Sequence, residues 1–110
     1  GGDRDRGKRP EMGKVACENA DFCVVTSDNP RSEDPEKIIE DVVSGMQKDN
    51  YAVVPDRKRA IRYAVECAGD NGVVLIAGKG GEKYQEINGV KYEFGDAEFV
   101  RGLIDEKVIE

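Results

Sequence analysis

Residues 22–43 read "FCVVTSDNPRSEDPEKIIEDVV". The first five, "FCVVT", form a nearly continuous apolar and β-branched run, as expected of a short strand buried on both faces. Further on, Ile38, Ile39, Val42 and Val43, followed by Met46, recur at helical spacing, with Asp34 placed to cap the helix and Pro35 at its first position. A strand therefore feeds a helix through a loop in which Asp28, Asn29 and Arg31 surround Pro30.

Working outward, the same unit recurs. "YAVV" at 51–54 leads through Asp56 into Ala60, Ile61, Ala64, Val65 and Ala68, again at helical spacing, and Gly69 follows as a stop. "VVLIA" at 73–77 is a third strand-like run. Strand, helix, strand, helix, strand calls for parallel pairing with crossover helices, so the expected fold class is α/β: Rossmann-like, with a mostly parallel sheet flanked by helices. Next, "KYQEINGVKYEF" sets Asn88-Gly89 between two alternating runs and predicts a β-hairpin. A C-terminal helix from about Asp96 carries Val100, Leu103 and Ile104. Upstream, Pro10 to Ala20 can form a helix with Met12, Val15 and Ala16 as its apolar positions. A crossover helix should follow a strand, yet the glycine loop "GGDRDRGKR" stands in that place. The expectation is one domain, 1–110, forming the tail of a longer protein cut just after its first strand.

Composition narrows the function. Acidic residues outnumber basic ones 23 to 17, giving a net charge of −6, which argues against a nucleic-acid or anionic-membrane binder built on clustered Lys and Arg. No apolar run approaches the roughly 20 residues that cross a bilayer, and "GGDRDRGKRP" lacks the apolar stretch of a secretory signal. A cytoplasmic protein with small-molecule or protein partners is expected. The sequence has no histidine, which excludes Ser-His-Asp and Cys-His catalysis and histidine-ligated metals. Cys17, Cys23 and Cys67 lack the spacing of a zinc or redox pair and read as small buried thiols. Chemistry is left to carboxylates, Lys, Arg and backbone.

In an open parallel sheet, ligands bind at the carboxyl ends of the strands. Three loops meet that edge, "TSDNPR", "PDRKR" and "GKGGE", and the leading "GGDRDRGKR" joins them once the missing strand is restored. Each also has a plain reading. Asn29-Pro30 makes a good turn by itself, and Arg31 can be a solvated surface cation or a clamp for a carboxylate. The "AGKGGE" glycines suit close approach to a phosphate but do not match the GxxxxGK[ST] spacing, and a plain glycine-rich turn fits equally well.

Together the segments are more specific. "GGDRDRGKRPEMG", "TSDNPRSEDPEKIIEDV", "YAVVPDRKRAIRYAV", "VVLIAGKGGEKYQ" and "FGDAEFVR", in this order, resemble the C-terminal domain of the Mur ligases, of the diaminopimelate-adding MurE type, over essentially the whole chain. The resemblance implies an ATP- and Mg2+-dependent ligase that adds meso-diaminopimelate to UDP-MurNAc-L-Ala-D-Glu in peptidoglycan synthesis. In that family ATP phosphorylates the glutamyl γ-carboxylate and the amino group of the incoming amino acid attacks the acyl phosphate. The UDP-sugar peptide and most of the ATP site belong to two further domains, so this chain alone is expected to be inactive. The C-terminal domain closes over both and carries the amino acid.

On that resemblance, Asp28, Asn29, Pro30 and Arg31 match the diaminopimelate-recognition motif, with Arg31 facing a carboxylate and Asp28 and Asn29 the polar groups beside it. Arg4 matches a second arginine on the amino acid, and Gly78 and Glu82 match the carbonyl and carboxylate that hold an ammonium group. Asp3, Lys8 and Arg9 fall in the segment that faces the nucleotide. One position departs: the family's GKGHE is "GKGGE" here, so Gly81 loosens the loop and removes an imidazole. Two other functions are distinguishable from this one. A stand-alone binding module would lack a P-loop domain upstream, and a Mur-like ligase for another acceptor would not need "DNPR".

Overall fold

The structure, a computed structural model, describes residues 2, 6–69, 72–77, 83–87 and 90–109, with side chains omitted at 93 and 105–109. Its elements run α1 (Lys8–Asn19), β1 (Cys23–Val25), α2 (Pro35–Val43), β2 (Tyr51–Val53), α3 (Arg57–Ala68), β3 (Tyr84–Ile87), β4 (Val90–Glu93) and α4 (Asp96–Ile109). β1 and β2 pair in parallel, with Cys23 opposite Tyr51 and Val25 opposite Val53. The ladder is extended at both ends, by Cys23 N–H to Asn50 O and Val54 N–H to Val25 O, each 2.9 Å. β3 and β4 form the expected hairpin, antiparallel with Ile87 opposite Val90; the turn residues Asn88 and Gly89 lie outside the described residues.

The helices start and stop where their side chains dictate. Asp34 caps α2 by accepting from Glu36 N–H at 3.0 Å, and Asp56 caps α3 by accepting from Lys58 N–H at 3.2 Å. Gly69 ends α3 at φ 65°, in left-handed backbone that a Cβ would strain. The apolar stripes predicted on α2 and α3 supply Ile38, Ile39, Ala60 and Ile61 to the interior. Around Ile61, Phe94 and Leu103 pack Val65, Ile76, Phe99 and Val100, joining α3 to α4. Burying one such aliphatic side chain contributes about 1.5–3 kcal/mol.

Two expectations are corrected. The run 73–77 is not a strand: it is irregular, with Val73 95% and Leu75 89% exposed. A strand needs a neighbour to take up its backbone N–H and C=O groups, and among the described residues β1 pairs only with β2. A groove of about 230 Å³ is lined by β1, by Met12 and Ala16 of α1, and by Asp28, Asn29, Pro30, Arg57 and Ala77.

The second correction is the face of α1. Met12, Val15 and Ala16 are exposed, and Arg9, Gly13 and Cys17, four residues apart, are buried instead. Gly13 lets α1 approach α2 so closely that a Cβ would run into the Val42 carbonyl. Beyond it, Cys17 Sγ donates to Asn50 Oδ1 at 3.0 Å, and Asn50 Nδ2 donates to the carbonyls of Cys17 and Ala20 at 3.1 and 3.0 Å, tying the end of α1 to the start of β2. Gly13→Ala is accordingly expected to force the helices apart and cost about 1–3 kcal/mol. Thermal unfolding measures this, and an unchanged midpoint would show that the helices can separate freely. Of the three thiols, Cys17 is buried and Cys23 half-buried, its pKa raised first by burial, whereas Cys67 is exposed, against expectation.

Candidate functional site

The loop after β1 is fixed before any ligand could meet it. Arg31 sits at φ 53°, left-handed backbone that costs a residue bearing a Cβ about 1–2 kcal/mol. Hydrogen bonds hold it there: Arg31 N–H donates to Glu86 O at 2.9 Å and Glu33 N–H to Pro30 O at 3.0 Å. The Asn29 side-chain oxygen accepts from Glu86 N–H at 2.8 Å. Asn29, 1% exposed, and the equally buried Pro30 lie beneath the turn. Arg31 also bridges to Ile87, so the loop is stitched to β3. The sequence reading aimed Asn29 at a ligand; the structure turns its amide oxygen inward, because a buried amide oxygen must be satisfied and the end of a neighbouring strand supplies the donor.

The Arg31 side chain is differently placed. It is half-buried, and Nη1 donates to the carbonyls of Gly2 and Asn29 at 3.0 and 3.4 Å. Among the described residues no carboxylate pairs with it. Gly2 completes the arrangement from the other side. Its N–H donates to Asn29 O at 2.6 Å, and a Cβ there would run into the Pro30 carbonyl. Gly2 thus lies on the turn, and the Arg31 guanidinium is hydrogen-bonded to both.

Arg57, which opens α3, is the residue that sequence reading missed. Its Nε and Nη2 donate to the two carboxylate oxygens of Asp96 at 2.8 and 2.7 Å, a bidentate pair between side chains only 3% and 11% exposed. The remaining donors reach Ser27 O at 3.1 Å and Ala77 O at 3.3 Å. Burial works against the charge, but the Asp96 carboxylate, with Asp28 behind it, outweighs that and raises the guanidinium's pKa. The signal was present in "PDRKR" and "FGDAEF", but neither segment says which of its charges turns inward.

The pair Lys8 and Arg9 divides. Lys8 is exposed on the first turn of α1. Arg9 is buried, with Nη2 3.0 Å from Glu33 Oε1 and Nη1 2.9 Å from Asp41 Oδ2. The hydrogen bond to Glu33 raises its pKa most, burial opposes, and Asp41 adds to the rise. Asp3, Arg4, Gly78, Gly81 and Glu82 lie outside the described residues. A larger depression of about 410 Å³ between α2 and the end of β2 is lined by Glu36, Ile39, Glu40, Val43, Ser44, Val53 and Pro55; without a cation it offers nothing to an anionic ligand.

Fold and loops together match known proteins. Residues 1–80 match the sequence profile of the "Mur ligase, glutamate ligase domain". The chain belongs to the Mur ligase family. Similar Mur ligases include the UDP-N-acetylmuramoyl-L-alanyl-D-glutamate–2,6-diaminopimelate ligases of Syntrophomonas wolfei, 51% identical over 94% of this chain and 23% of the relative, and of Aquifex aeolicus, 51% identical over 94% and 22%. That of Neisseria meningitidis is 55% identical over 91% of this chain and 20% of its own. The chain therefore spans about a fifth to a quarter of these Mur ligases. A solved structure of a ligase of the same name superposes with a TM-score of 0.90 at 48% identity, over 97% of this chain and 22% of that one. The superposition extends the likeness beyond residue 80, to the hairpin and α4. The Mur ligase C-terminal fold expected from the sequence is the fold observed.

Proposed function

We propose that this chain is the amino-acid-binding C-terminal domain of an ATP-dependent ligase that joins meso-diaminopimelate to UDP-MurNAc-L-Ala-D-Glu in the cytoplasmic steps of peptidoglycan synthesis. One observation carries the reading. A non-glycine residue, Arg31, is held in left-handed backbone by a buried turn, and its guanidinium meets no carboxylate among the described residues. Strain of this kind persists where the surroundings enforce it and is concentrated at binding sites. A planar guanidinium offers a free carboxylate two parallel hydrogen bonds, and diaminopimelate has one carboxylate more than lysine.

In this reading Arg31 holds the distal carboxylate and Asp28 lies beside it, while Arg4, Gly78 and Glu82 hold the rest of the amino acid. Asn29 and Pro30 act by keeping the turn in shape. ATP, with Mg2+, supplies the phosphoryl group that activates the glutamyl carboxylate and binds mainly on the other domains. Of this chain's own groups, Asp3 and the exposed Lys8 would face it, whereas the Arg9 guanidinium is occupied with Glu33 and Asp41. The contribution of the domain is to orient the amine toward the activated carboxylate, a proximity effect.

The test compares the full-length ligase with the 110-residue chain. With ATP and UDP-MurNAc-L-Ala-D-Glu, the full-length protein is expected to form an amide with meso-diaminopimelate in strong preference to L-lysine. The chain alone is expected to hydrolyse no ATP, because it has no GxxxxGK[ST] phosphate cradle. Preference for lysine would overturn the assignment, and ATP hydrolysis by the purified chain would overturn its reading as a partial enzyme.

A further inference from the structure

The residues that lead into the two segments assigned to the amino acid are held at neighbouring points. One begins at Asp28, directly after Ser27, and the other at Gly78, directly after Ala77. The same buried guanidinium binds both preceding carbonyls: Arg57 Nη1 donates to Ser27 O and Nη2 to Ala77 O. Asp96, at the start of α4, holds the other side of that guanidinium with both carboxylate oxygens. Ala77 belongs to the irregular run 72–77, and among the described residues no ladder fixes it. Arg57 is therefore the polar tie that sets the start of the second loop relative to the first. Further along the chain, β3 is tied to the first loop through Glu86 to Asn29 and Arg31.

We propose that Arg57, oriented by Asp96, is a positioning residue for amino-acid binding: it fixes Ser27, which leads into the "DNPR" turn, relative to Ala77, after which "GKGGE" follows in sequence, without touching the substrate. The proposal rests on the reading of those loops as the amino-acid site. The shape of guanidinium suits the task. A planar fork with five donors serves the Asp96 carboxylate and two divergent carbonyls together, whereas an ammonium can keep the ion pair but cannot span both carbonyls. Misplacement of a binding group by about 1 Å costs up to roughly a hundredfold in rate, so a shifted tie should register in substrate use, and Arg57→Lys, which keeps the ion pair, separates this effect from the cost to folding.

The experiment is steady-state kinetics of the full-length ligase carrying Arg57→Lys, with Asp96→Asn as a second variant that keeps the size of the acid but frees the fork. Arg31→Ala runs in parallel, and unfolding of each variant is followed. Both brace variants are expected to raise the KM for diaminopimelate roughly ten- to a hundredfold, leaving the KM for ATP within about twofold and Arg57→Lys folded. Wild-type KM for the amino acid in both overturns the brace, as does an equal rise in both KM values, which marks a general structural role. If Arg31→Ala raises the KM while the brace variants do not, the site reading stands and the brace falls. If the brace variants raise it while Arg31→Ala does not, the brace stands and the role of Arg31 falls.

Discussion

Arg31→Ala in the full-length ligase is expected to raise the KM for meso-diaminopimelate at least 30-fold and to change the use of lysine little, so that the preference between the two collapses. Removing one partner of a buried, hydrogen-bonded charge pair costs about 2–5 kcal/mol, or roughly 30-fold to several thousandfold. Arg31 is half-buried, which places the effect toward the lower end. A second substitution separates side chain from backbone. Arg31→Gly deletes the same guanidinium while relieving the left-handed conformation at φ 53°, so it should lose selectivity equally yet unfold at a temperature no lower than Arg31→Ala. Competition between the two amino acids, with thermal unfolding alongside, reads both effects. A mutant that kept its preference would make "DNPR" a turn and nothing more.

A large effect on stability is expected at Arg9. Taking away one member of a buried ion pair costs about 3–5 kcal/mol, because the charges left behind have lost both water and partner. Glu33 and Asp41 remain 20% and 37% exposed and recover some hydration, so Arg9→Met should cost about 2–3 kcal/mol, a fall of roughly 10 °C in Tm. Replacing both acids as well, with Glu33→Gln and Asp41→Asn, should restore part of the loss. Unchanged unfolding of Arg9→Met would release the guanidinium from this structural role and leave it available to a nucleotide.

What could be read from the sequence was whatever depends on neighbours along the chain. Asp34 and Asp56 cap their helices because a carboxylate two residues before a free N–H reaches it in almost any context. Ile38, Ile39, Ala60 and Ile61 are buried because helical spacing alone puts them on one face. The failures involve partners that periodicity does not contain. Whether 73–77 becomes a strand is decided by another strand lying alongside it, not by the β-propensity of "VVLIA". The buried face of α1 is set by Gly13 against the Val42 carbonyl and by Arg9 against two acids, and a search for apolar residues passes over both. In the candidate site, "DNPR" could be singled out as a turn because its residues are adjacent. Its links to Glu86, and the tie from Arg57 to Asp96, join segments far apart in the chain and had no local mark.

The exposed run at 73–77 and the one ladder that β1 forms among the described residues have a consequence for handling the protein. Val73 and Leu75 stand in water on an uncharged stretch without proline, the composition that gatekeeper charges ordinarily interrupt. Beside it lies a groove along β1, which among the described residues pairs on one side only. An exposed apolar run and an unused strand edge on one molecule can meet between copies, and a head-to-tail contact of that kind need not end at a dimer. The net charge of −6 opposes this at low ionic strength and does so less as salt screens it. The 110-residue chain is therefore expected to scatter more light as ionic strength rises, and the groove involved includes Asp28, Asn29 and Arg57 of the candidate site.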